Sequence, residues 1–277
     1  MGSVLPKKSL GQNFLIDDNI IRKIISAFEI KSDDVILEIG PGTGALTKHL
    51  VERCRDVTAV ELDSRAIKLL EEKYPRAQYT NFKLIHSDIR TVELKKHFAD
   101  AISTGKRIKV IGNIPYNISS DIIFLLIEKR ACIEKAQLMV QKEVAKRLAA
   151  SPDSKDYGIS TVALNLCGKS NVLFDVSPGS FYPRPKVTSS VIELLFNKRI
   201  THSEYFAVME LVKAGFNQRR KQLRNSLKNY INTKTGEKAE EFVFYHNRKK
   251  SNFLAKRPEN LTYNDFIELY HEIISFR

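Results

Sequence analysis

The segment Asn113-Ile114-Pro115-Tyr116 places an amide, a rigid proline and an aromatic ring directly after the apolar run Lys109–Gly112. An asparagine side-chain oxygen and a backbone carbonyl held by a proline can each accept an N–H, and a tyrosine ring offers a face for a base. Together these groups suit a planar amine. Proline and asparagine also punctuate ordinary strand-to-helix loops, so the tetrapeptide alone leaves both interpretations open.

A second candidate site is the glycine-rich turn Glu38–Ala45, which follows an apolar run and opens a helical pattern. Glycines let the backbone approach a ligand closely, and a helix N-terminus favours electron-rich groups. The turn fits the dinucleotide pattern G-x-G-x-x-A, and Glu61 follows Gly40 by 21 residues, where a ribose-binding acid is expected. A nicotinamide enzyme is therefore one interpretation.

The acidic residues favour a different ligand. Glu38 would repel a pyrophosphate, but it suits a ligand that carries a cationic amino-acid end. Ser87-Asp88 follows the next apolar run after Glu61, and Asp88 is placed to accept from an adenine amino group. Acids at successive strand ends suit S-adenosylmethionine, which has a sulfonium, an ammonium, a ribose and an adenine but no phosphate. The same acids could instead cap the helices that follow.

Short apolar runs alternate with helical patterns, which predicts an α/β fold with a parallel sheet covered on both faces. The predicted strands are Val35–Ile39, Val57–Glu61, Phe82–His86, Lys109–Gly112 and Ala136–Val140, and the predicted helices include Ala45–Arg53, Arg65–Lys73, Ser120–Glu128, Lys142–Ala149 and Ile159–Leu166. Two further strands, Asn171–Val176 and Ser190–Phe196, are joined by a Pro-rich loop and should pair antiparallel at the sheet edge. Only helical patterns follow, so we expect domains at residues 1–198 and 199–277.

The charge of the chain indicates a polyanionic partner. Lys and Arg number 45 against 32 Asp and Glu, a net charge of +13, and the region from Asn197 onward has 16 basic and 9 acidic residues. The acid-free segment Gly215–Asn229 predicts a packed helix with a basic side, on which the candidate phosphate-binding cations are Arg219, Arg220, Lys221 and Arg224.

The composition argues against a membrane-spanning, a disulfide-bonded or a metal-binding protein. The 277 residues are 43% hydrophobic, as in a soluble globular protein, and no apolar stretch is long enough to span a bilayer. Three scattered cysteines and six dispersed histidines predict reduced core thiols and no metal site. We therefore expect a cytoplasmic protein, and we expect it to be a monomer without metal.

Five motifs in order resemble the KsgA-type rRNA adenine N6,N6-dimethyltransferase family over nearly the whole chain. They are Lys8–Leu15, Glu38–Gly44, Asn113–Tyr116, the loop Phe181–Val187 and the basic stretch Phe216–Leu227. Ile114 stands where leucine is common, a swap that conserves volume. The resemblance implies a Rossmann-like class I methyltransferase with a mostly parallel seven-stranded sheet, an antiparallel edge and a small all-α C-terminal domain that binds rRNA.

The resemblance also implies site residues and a substrate. The residues expected to contact S-adenosylmethionine are Gln12, Asn13, Leu15, Gly40, Gly42, Glu61, Asp88 and Asn113. Glu61 would hold the ribose hydroxyls and Asp88 the adenine N6, while Gln12 would hold the N-terminal segment over the cofactor. The implied substrate is a pair of adjacent adenosines in the hairpin near the 3′ end of small-subunit rRNA, within the immature small subunit.

For catalysis, we expect the Asn113 oxygen and the carbonyl of Ile114 or Pro115 to accept the two N6–H bonds, favouring a pyramidal nitrogen. Tyr116 would stack on one face of a flipped-out adenine and Phe181 would close the other, unless Phe181 is a core aromatic. In-line attack by the nitrogen would then transfer the methyl group.

Other functions stay open at this point. An Erm-type large-subunit rRNA dimethylase shares the expected fold and chemistry, although Gly11–Leu15 and Phe216–Lys221 favour the KsgA-type family. A DNA adenine methyltransferase is disfavoured, because such enzymes usually carry Asp-Pro-Pro-Tyr at the target-base motif, where this chain has Asn-Ile-Pro-Tyr. The protein could also act mainly as a non-catalytic factor in ribosome assembly.

Overall fold

A computed structural model describes residues 4–197, 200–249 and 251–276 of the protein. The larger of its two units is built around a seven-stranded sheet. The strands are β1 (Phe14–Leu15), β2 (Val35–Ile39), β3 (Asp56–Glu61), β4 (Phe82–His86), β5 (Ile108–Asn113), β6 (Ile133–Gln141), β7 (Lys169–Val176), β8 (Phe181–Tyr182) and β9 (Ser189–Leu195). The order in the large sheet is β4-β3-β2-β5-β6-β9-β7, and β1 pairs separately with β8.

The first helices in chain order are α1 (Asp18–Phe28), α2 (Thr47–Val51), α3 (Ser64–Lys73), α4 (Leu94–His97), α5 (Ala99–Ser103), α6 (Ser119–Glu128) and α7 (Lys142–Leu148). Those from α2 to α6 lie between β2 and β6 and explain the parallel pairing, because they return the chain to the same end of the sheet before the next strand begins. Strands β2 to β6 pair parallel, and β9 pairs antiparallel with β6. The predicted α/β fold with an antiparallel edge is confirmed.

The strand order reverses beside β2. From β2 the chain proceeds to β3 and β4 on one side, and then returns to place β5 on the other side. Loops that leave neighbouring strands in opposite directions open a crevice at the carboxyl ends of the strands, where ligands bind in open α/β sheets. The loops after β2 and β5 contain the two motifs from which the sequence analysis began.

The sheet has a buried apolar centre, as expected for strands covered on both faces. All five residues of β2 are buried, and in β5 only the last residue, Asn113, is partly exposed. The short ribbon of β1 and β8 was not predicted from the sequence. Its pairing sets Phe14 opposite Tyr182 and Leu15 opposite Phe181, and so attaches the N-terminal segment to the Pro-rich loop.

A second unit of the chain is helical. It contains α8 (Ile159–Cys167), α9 (His202–Phe216), α10 (Leu223–Ser226), α11 (Lys228–Thr235), α12 (Ala239–His246) and α13 (Tyr263–Ser275). Contacts between residues assign 146–169 and 197–277 to this unit, and 1–145 and 170–196 to the other. The segment 146–169 therefore packs with the C-terminal helices, whereas the sequence analysis put it in the first domain.

Contacts made by the loop before α8 explain why the segment 146–169 belongs to the helical unit. The Tyr157 hydroxyl donates to the carbonyl of Leu261 at 2.8 Å, and the Tyr157 ring packs beside that of Phe216. Tyr157 is buried, with 1% of its surface exposed. Contacts between residues about 60 to 100 positions apart in the chain leave no periodic pattern in the local sequence.

The prediction of one basic helix over Gly215–Asn229 is wrong. Helix α9 ends at Phe216, the next residues form a turn, and α10 begins at Leu223. The Leu223 N–H donates to the Lys256 carbonyl at 2.8 Å, so a bond to a distant loop replaces the bond that would continue the helix. A side chain at Gly215 would approach Leu223 to 3.0 Å, so glycine allows the chain to fold back here.

In the described ranges, no helix is long and apolar enough to cross a membrane. The three cysteines are buried and unpaired with each other.

A buried ion pair supports the start of β5. The Lys109 ammonium lies 2.7 Å from the Asp34 carboxylate, and the two side chains are only 5% and 10% exposed. A nearby exposed pair, Lys106 and Asp33, has its charged atoms 3.6 Å apart. Removing one partner of a buried pair leaves an uncompensated charge, whereas an exposed pair contributes little.

We therefore predict that Lys109→Ala lowers the free energy of unfolding by about 3 kcal/mol. The matched variant Lys106→Ala should lower it by less than about 1 kcal/mol. Urea unfolding followed by circular dichroism measures both. Equal losses in the two variants would show that the buried pair has no special contribution.

Candidate functional site

A cavity of about 260 Å³ opens at the carboxyl ends of the parallel strands, beside the point where the strand order reverses. Nearly all the predicted site residues of this unit line it: Gln12, Asn13, Leu15, Gly40, Gly42, Glu61, Asp88, Asn113, Pro115 and Tyr116. They come from five stretches of the chain. One is the N-terminal segment, and the other four follow strands that the parallel sheet brings to one edge.

Asn113, the last residue of β5, has a defined amide orientation. Its Nδ2 donates to the backbone carbonyl of Asn13 at 2.9 Å. Because a carbonyl only accepts, this bond identifies the nitrogen end of the amide and directs the Oδ1 atom elsewhere. The Asn13 side chain in turn donates to the Gly11 carbonyl at 3.3 Å. The N-terminal segment thus holds Asn113 with an acceptor available.

The position of Asn113 depends on the glycine before it. A Cβ on Gly112 would lie 2.5 Å from the backbone oxygen of Ile39, closer than real Cβ contacts allow. Glycine therefore lets the ends of β5 and β2 approach each other, and the two loops of the cavity share one edge.

Tyr116 follows on a short turn with its ring in the cavity wall. Its hydroxyl is hydrogen-bonded to the Ser189 hydroxyl at the start of β9. Burial raises the pKa of the Tyr116 phenol, so the group stays neutral. The aromatic ring is held at its far end while a face is left for a planar ligand.

Glu61 receives backbone N–H groups on both of its carboxylate oxygens. Oε2 accepts from Gly42 at 3.0 Å, and Oε1 accepts from Leu62 and Asp63 at 2.9 and 2.8 Å. The bond to Gly42 links the acid at the end of β3 to the glycine turn after β2. A carboxylate has about four acceptor positions, two on each oxygen, so Oε2 keeps capacity for one ligand hydroxyl.

Glu38 has a different environment, although it too lines the cavity. It is 1% exposed, and its Oε2 accepts a hydrogen bond from the Thr47 hydroxyl at 2.7 Å. Burial and, to a smaller extent, the negative charge of Glu61 together raise the pKa of Glu38 to about 8. A positive charge in the cavity would favour the ionised form of Glu38, which suits a cationic ligand.

Asp88 lies beyond the end of β4, next to Glu61 at the end of β3, as predicted. Arg90 binds it through both carboxylate oxygens, at distances of 2.6 to 3.1 Å, and lowers the pKa of the Asp88 carboxyl. The side chain is 23% exposed. The Arg90 backbone N–H also donates to Oδ1 at 2.9 Å, which leaves Asp88 about one acceptor position for an amino group, and Arg90 holds the carboxylate in place.

Gln12 fastens the N-terminal segment across the cavity. Its Nε2 donates to Asp63 at 3.0 Å, and its Oε1 accepts the Lys7 N–H at 2.8 Å. The Arg65 guanidinium, bonded to the same Asp63, holds the pKa of that carboxyl well below its usual range. A charged acceptor strengthens the bond to Gln12, so the segment is tied to the loop after β3.

Comparisons with known proteins show the family of this chain. Residues 5–268 match the family model described as ribosomal RNA adenine dimethylase. The chain belongs to that family. It is a methyltransferase of the Rossmann-like α/β fold.

Two relatives cover most of the chain. The ribosomal RNA small subunit methyltransferase A of Desulforapulum autotrophicum is 43% identical over 227 residues, which is 81% of this chain and 78% of that protein. The protein of the same name from Chlorobium chlorochromatii is 39% identical over 267 residues, 96% and 93% of the two chains.

Two solved structures are also similar. A dimethyladenosine transferase from Plasmodium falciparum has a TM-score of 0.75 and 29% identity, over 92% of this chain and 95% of that one. The 23S rRNA methyltransferase ErmE has a TM-score of 0.64 and 25% identity, over 94% and 99%.

The sequence analysis missed several lining residues of this methyltransferase. Phe14, within a quoted motif but not singled out, lies so close that a Cβ on Gly42 would meet its ring at 3.0 Å. Leu62, which is 49% exposed, and Ile89 follow the two acids Glu61 and Asp88. Their position directly after strand-end acids was a usable signal, because a planar adenine needs apolar contacts beside its polar ones.

Phe181 does not lie in the cavity wall. Its side chain is 1% exposed and belongs to the hydrophobic core, where it pairs across the ribbon with Leu15. The alternative that the sequence analysis left open, a core aromatic, describes this residue. Phe181 thus lies outside the cavity lining, and its contact with one face of a base stays a prediction.

The predicted phosphate-binding cations lie in the helical unit and fall into two groups. Arg219 donates from Nε to Glu259 at 2.9 Å and from Nη2 to the Lys155 carbonyl at 2.9 Å, so it serves the packing of its own unit. Arg220 and Lys221 are exposed in the turn after α9, and Arg224 is exposed on α10. Arg220 and Lys221 line a surface concavity together with Lys256 and Arg257.

We predict that the buried acid Glu38 makes stability depend on pH. The folded protein keeps a proton on Glu38 up to a pKa of about 8, whereas the unfolded chain releases it near 4.5. The contribution is fully present below the lower value and is lost as the pH rises to the upper one.

The isosteric variant Glu38→Gln lacks this loss and can still accept from Thr47. Its melting temperature, relative to that of the original protein, should rise steadily between pH 5 and pH 8. Thermal unfolding followed by circular dichroism in a series of buffers measures the difference. Parallel pH profiles for the two proteins would contradict the assignment.

Proposed function

We propose that this protein transfers methyl groups from S-adenosylmethionine to N6 of two adjacent adenosines in the 3′-terminal hairpin of small-subunit rRNA, giving N6,N6-dimethyladenosines during small-subunit biogenesis. The observation that carries the proposal is the amide of Asn113, whose nitrogen is bonded to the N-terminal segment while its oxygen stays available beside the cavity. Membership of the family and the names of the relatives support the chemistry and the choice of RNA.

The residues around the cavity fit S-adenosylmethionine. Glu61 has acceptor capacity on Oε2 for a ribose hydroxyl, Asp88 for the adenine amino group, and Glu38 suits the cationic end. The Gly42 turn allows close approach of the ligand to the backbone. When bound, this cofactor supplies the methyl group: the sulfur–carbon bond breaks as the nitrogen–carbon bond forms, and the methylated nitrogen then loses a proton to solvent.

The chain itself positions the nucleophile. The Asn113 oxygen and one backbone carbonyl accept the two N6–H bonds of the adenine, which favours a pyramidal nitrogen with its lone pair exposed. The Pro115 carbonyl already accepts the Ile118 N–H at 3.3 Å, so we assign the second bond to Ile114. Tyr116 stacks on one face of the base, which must leave the RNA helix to enter the cavity.

The helical unit contributes to RNA binding in addition to the cavity that takes the adenine. Arg220, Lys221, Lys256 and Arg257 line one concave surface, where closely spaced cations suit consecutive phosphates. Arg219 contributes through packing, because its guanidinium holds Glu259 and the chain near Lys155.

The direct test is to incubate the pure protein with labelled S-adenosylmethionine and unmethylated small subunits, and then to locate the label. We expect two adjacent dimethylated adenosines in the 3′-terminal hairpin. In a parallel reaction with unmethylated large-subunit rRNA, label in that RNA would instead favour the Erm-type activity, whose representative ErmE has the lower TM-score of the two structures. Binding to small subunits without any label would favour a non-catalytic assembly factor.

We predict that Asn113→Ala lowers the rate of methyl transfer by about 100-fold or more, because the acceptor for N6–H is lost. Binding to small subunits should change little. Single-turnover transfer and sedimentation with subunits measure the two quantities. As a control, Asn229→Ala removes an exposed asparagine of α11 and should leave both unchanged. Unaltered transfer by the Asn113 variant would remove this residue from the mechanism.

We predict that the double variant Arg220→Gln/Lys221→Gln binds small subunits more weakly and with a smaller salt dependence. Each lost phosphate contact should lower the slope of log K against log salt by about 1. Arg219 is left in place to preserve the fold. The control Lys213→Gln/Lys238→Gln removes two exposed cations of the same unit that do not line the concavity. The same slope for both double variants would show that the RNA lies elsewhere.

A further inference from the structure

The ribbon formed by β1 and β8 has two different faces. Leu15 and Phe181 are paired across it, and both are buried in the core. Phe14 and Tyr182 are the other pair, and side chains of directly opposed residues lie on the same face of a ribbon. Phe14 lines the cavity and packs against the glycine turn. Leu15 also lines the cavity, although it is on the buried face, whereas Tyr182 shares the face of Phe14 and is 57% exposed.

The loop after Tyr182 connects two parts of the cavity wall. At its start, Tyr182 is paired with Phe14, and at its end Ser189 is hydrogen-bonded to the Tyr116 hydroxyl. Both partners, Phe14 and Tyr116, line the cavity, whereas Tyr182 is outside the lining. The exposed ring consequently lies at the edge of the cavity, close to where a substrate must pass.

The chemistry of the loop suits a nucleic acid. Residues 181–190 contain the cations Arg184 and Lys186, both exposed, and no acidic residue. Pro183 and Pro185 restrict the backbone, which reduces the entropy that binding must remove. An exposed aromatic ring flanked by cations is the arrangement with which proteins bind unpaired bases and their phosphates.

We propose that Tyr182 stacks on a nucleobase of the RNA at the edge of the cavity, while Arg184 and Lys186 contact the adjoining phosphates. This inference rests on the proposed function, and it adds Tyr182 to the residues that contact the RNA. Tyr182 contacts the substrate and positions it, and it takes no part in the transfer step.

The test compares Tyr182→Ala with Tyr182→Phe, which keeps the ring. With unmethylated small subunits and saturating S-adenosylmethionine, the alanine variant should raise KM by about tenfold, because a base–aromatic stack is lost. Its kcat should change much less, and its melting temperature should stay the same. The phenylalanine variant should restore KM to within about twofold. As a control, Val172→Ala removes an exposed apolar side chain of β7 and should behave like the original protein.

A second measurement separates this inference from the proposed function. The dissociation constant for small subunits is measured by sedimentation for the same variants, and it requires no methyl transfer. If the original protein transfers no methyl group, the proposed function fails, yet a tenfold weaker binding by Tyr182→Ala would still support the stacking role. A KM and a dissociation constant within twofold of the original protein would overturn it.

Discussion

The hydrogen bond from Asn113 Nδ2 to the Asn13 carbonyl is the interaction on which the candidate site depends. It joins the end of β5 to a segment 100 residues away in sequence and settles which end of the amide faces the cavity. Gly112 permits the approach of β5 to β2, and Gln12 fixes the N-terminal segment to Asp63. The acceptor that an amine would need is thus oriented before any ligand arrives, which reduces the reorganisation that the transition state requires.

Three carboxylates around the cavity differ because their surroundings differ. Glu61 accepts hydrogen bonds from three backbone N–H groups, and Asp88 accepts hydrogen bonds from the Arg90 guanidinium. The buried Glu38 accepts one hydrogen bond, from the Thr47 hydroxyl. Arg90 lowers the pKa of Asp88, while burial raises the pKa of Glu38. The site therefore presents fixed negative charge for hydrogen bonding, together with one acid whose ionisation a cation in the cavity would favour. A phosphate-bearing cofactor would meet repulsion in the same place.

The helical unit separates packing from exposed charge. Arg219 bonds to Glu259 and to a backbone carbonyl, while Arg220 and Lys221, its neighbours in the chain, are exposed in the same turn. The turn exists because α9 ends at Phe216 and the chain folds back at Gly215. A continuous helix would have spread these cations around its circumference, whereas the turn places them with Lys256 and Arg257 along one concavity. Adjacent cations on one surface are better suited to a single run of phosphates.

The sequence by itself determined the α/β fold, the strand ends and most of the cavity lining. Apolar runs mark the strands, and parallel strands bring residues that follow them, such as Glu61, Asp88 and Asn113, to one edge whatever the details of packing. Only the tertiary structure decided the orientation of the Asn113 amide, the burial of Phe181 and the exposure of Tyr182, and the break in the basic helix. Each of these depends on a partner far away in the chain. The partner is Asn13 for the Asn113 amide, Leu15 for Phe181, Phe14 for Tyr182 and the Lys256 carbonyl for the break in the helix. Local periodicity carries no information about such partners, because hydrogen bonds and packing between distant residues form only when the chain is folded.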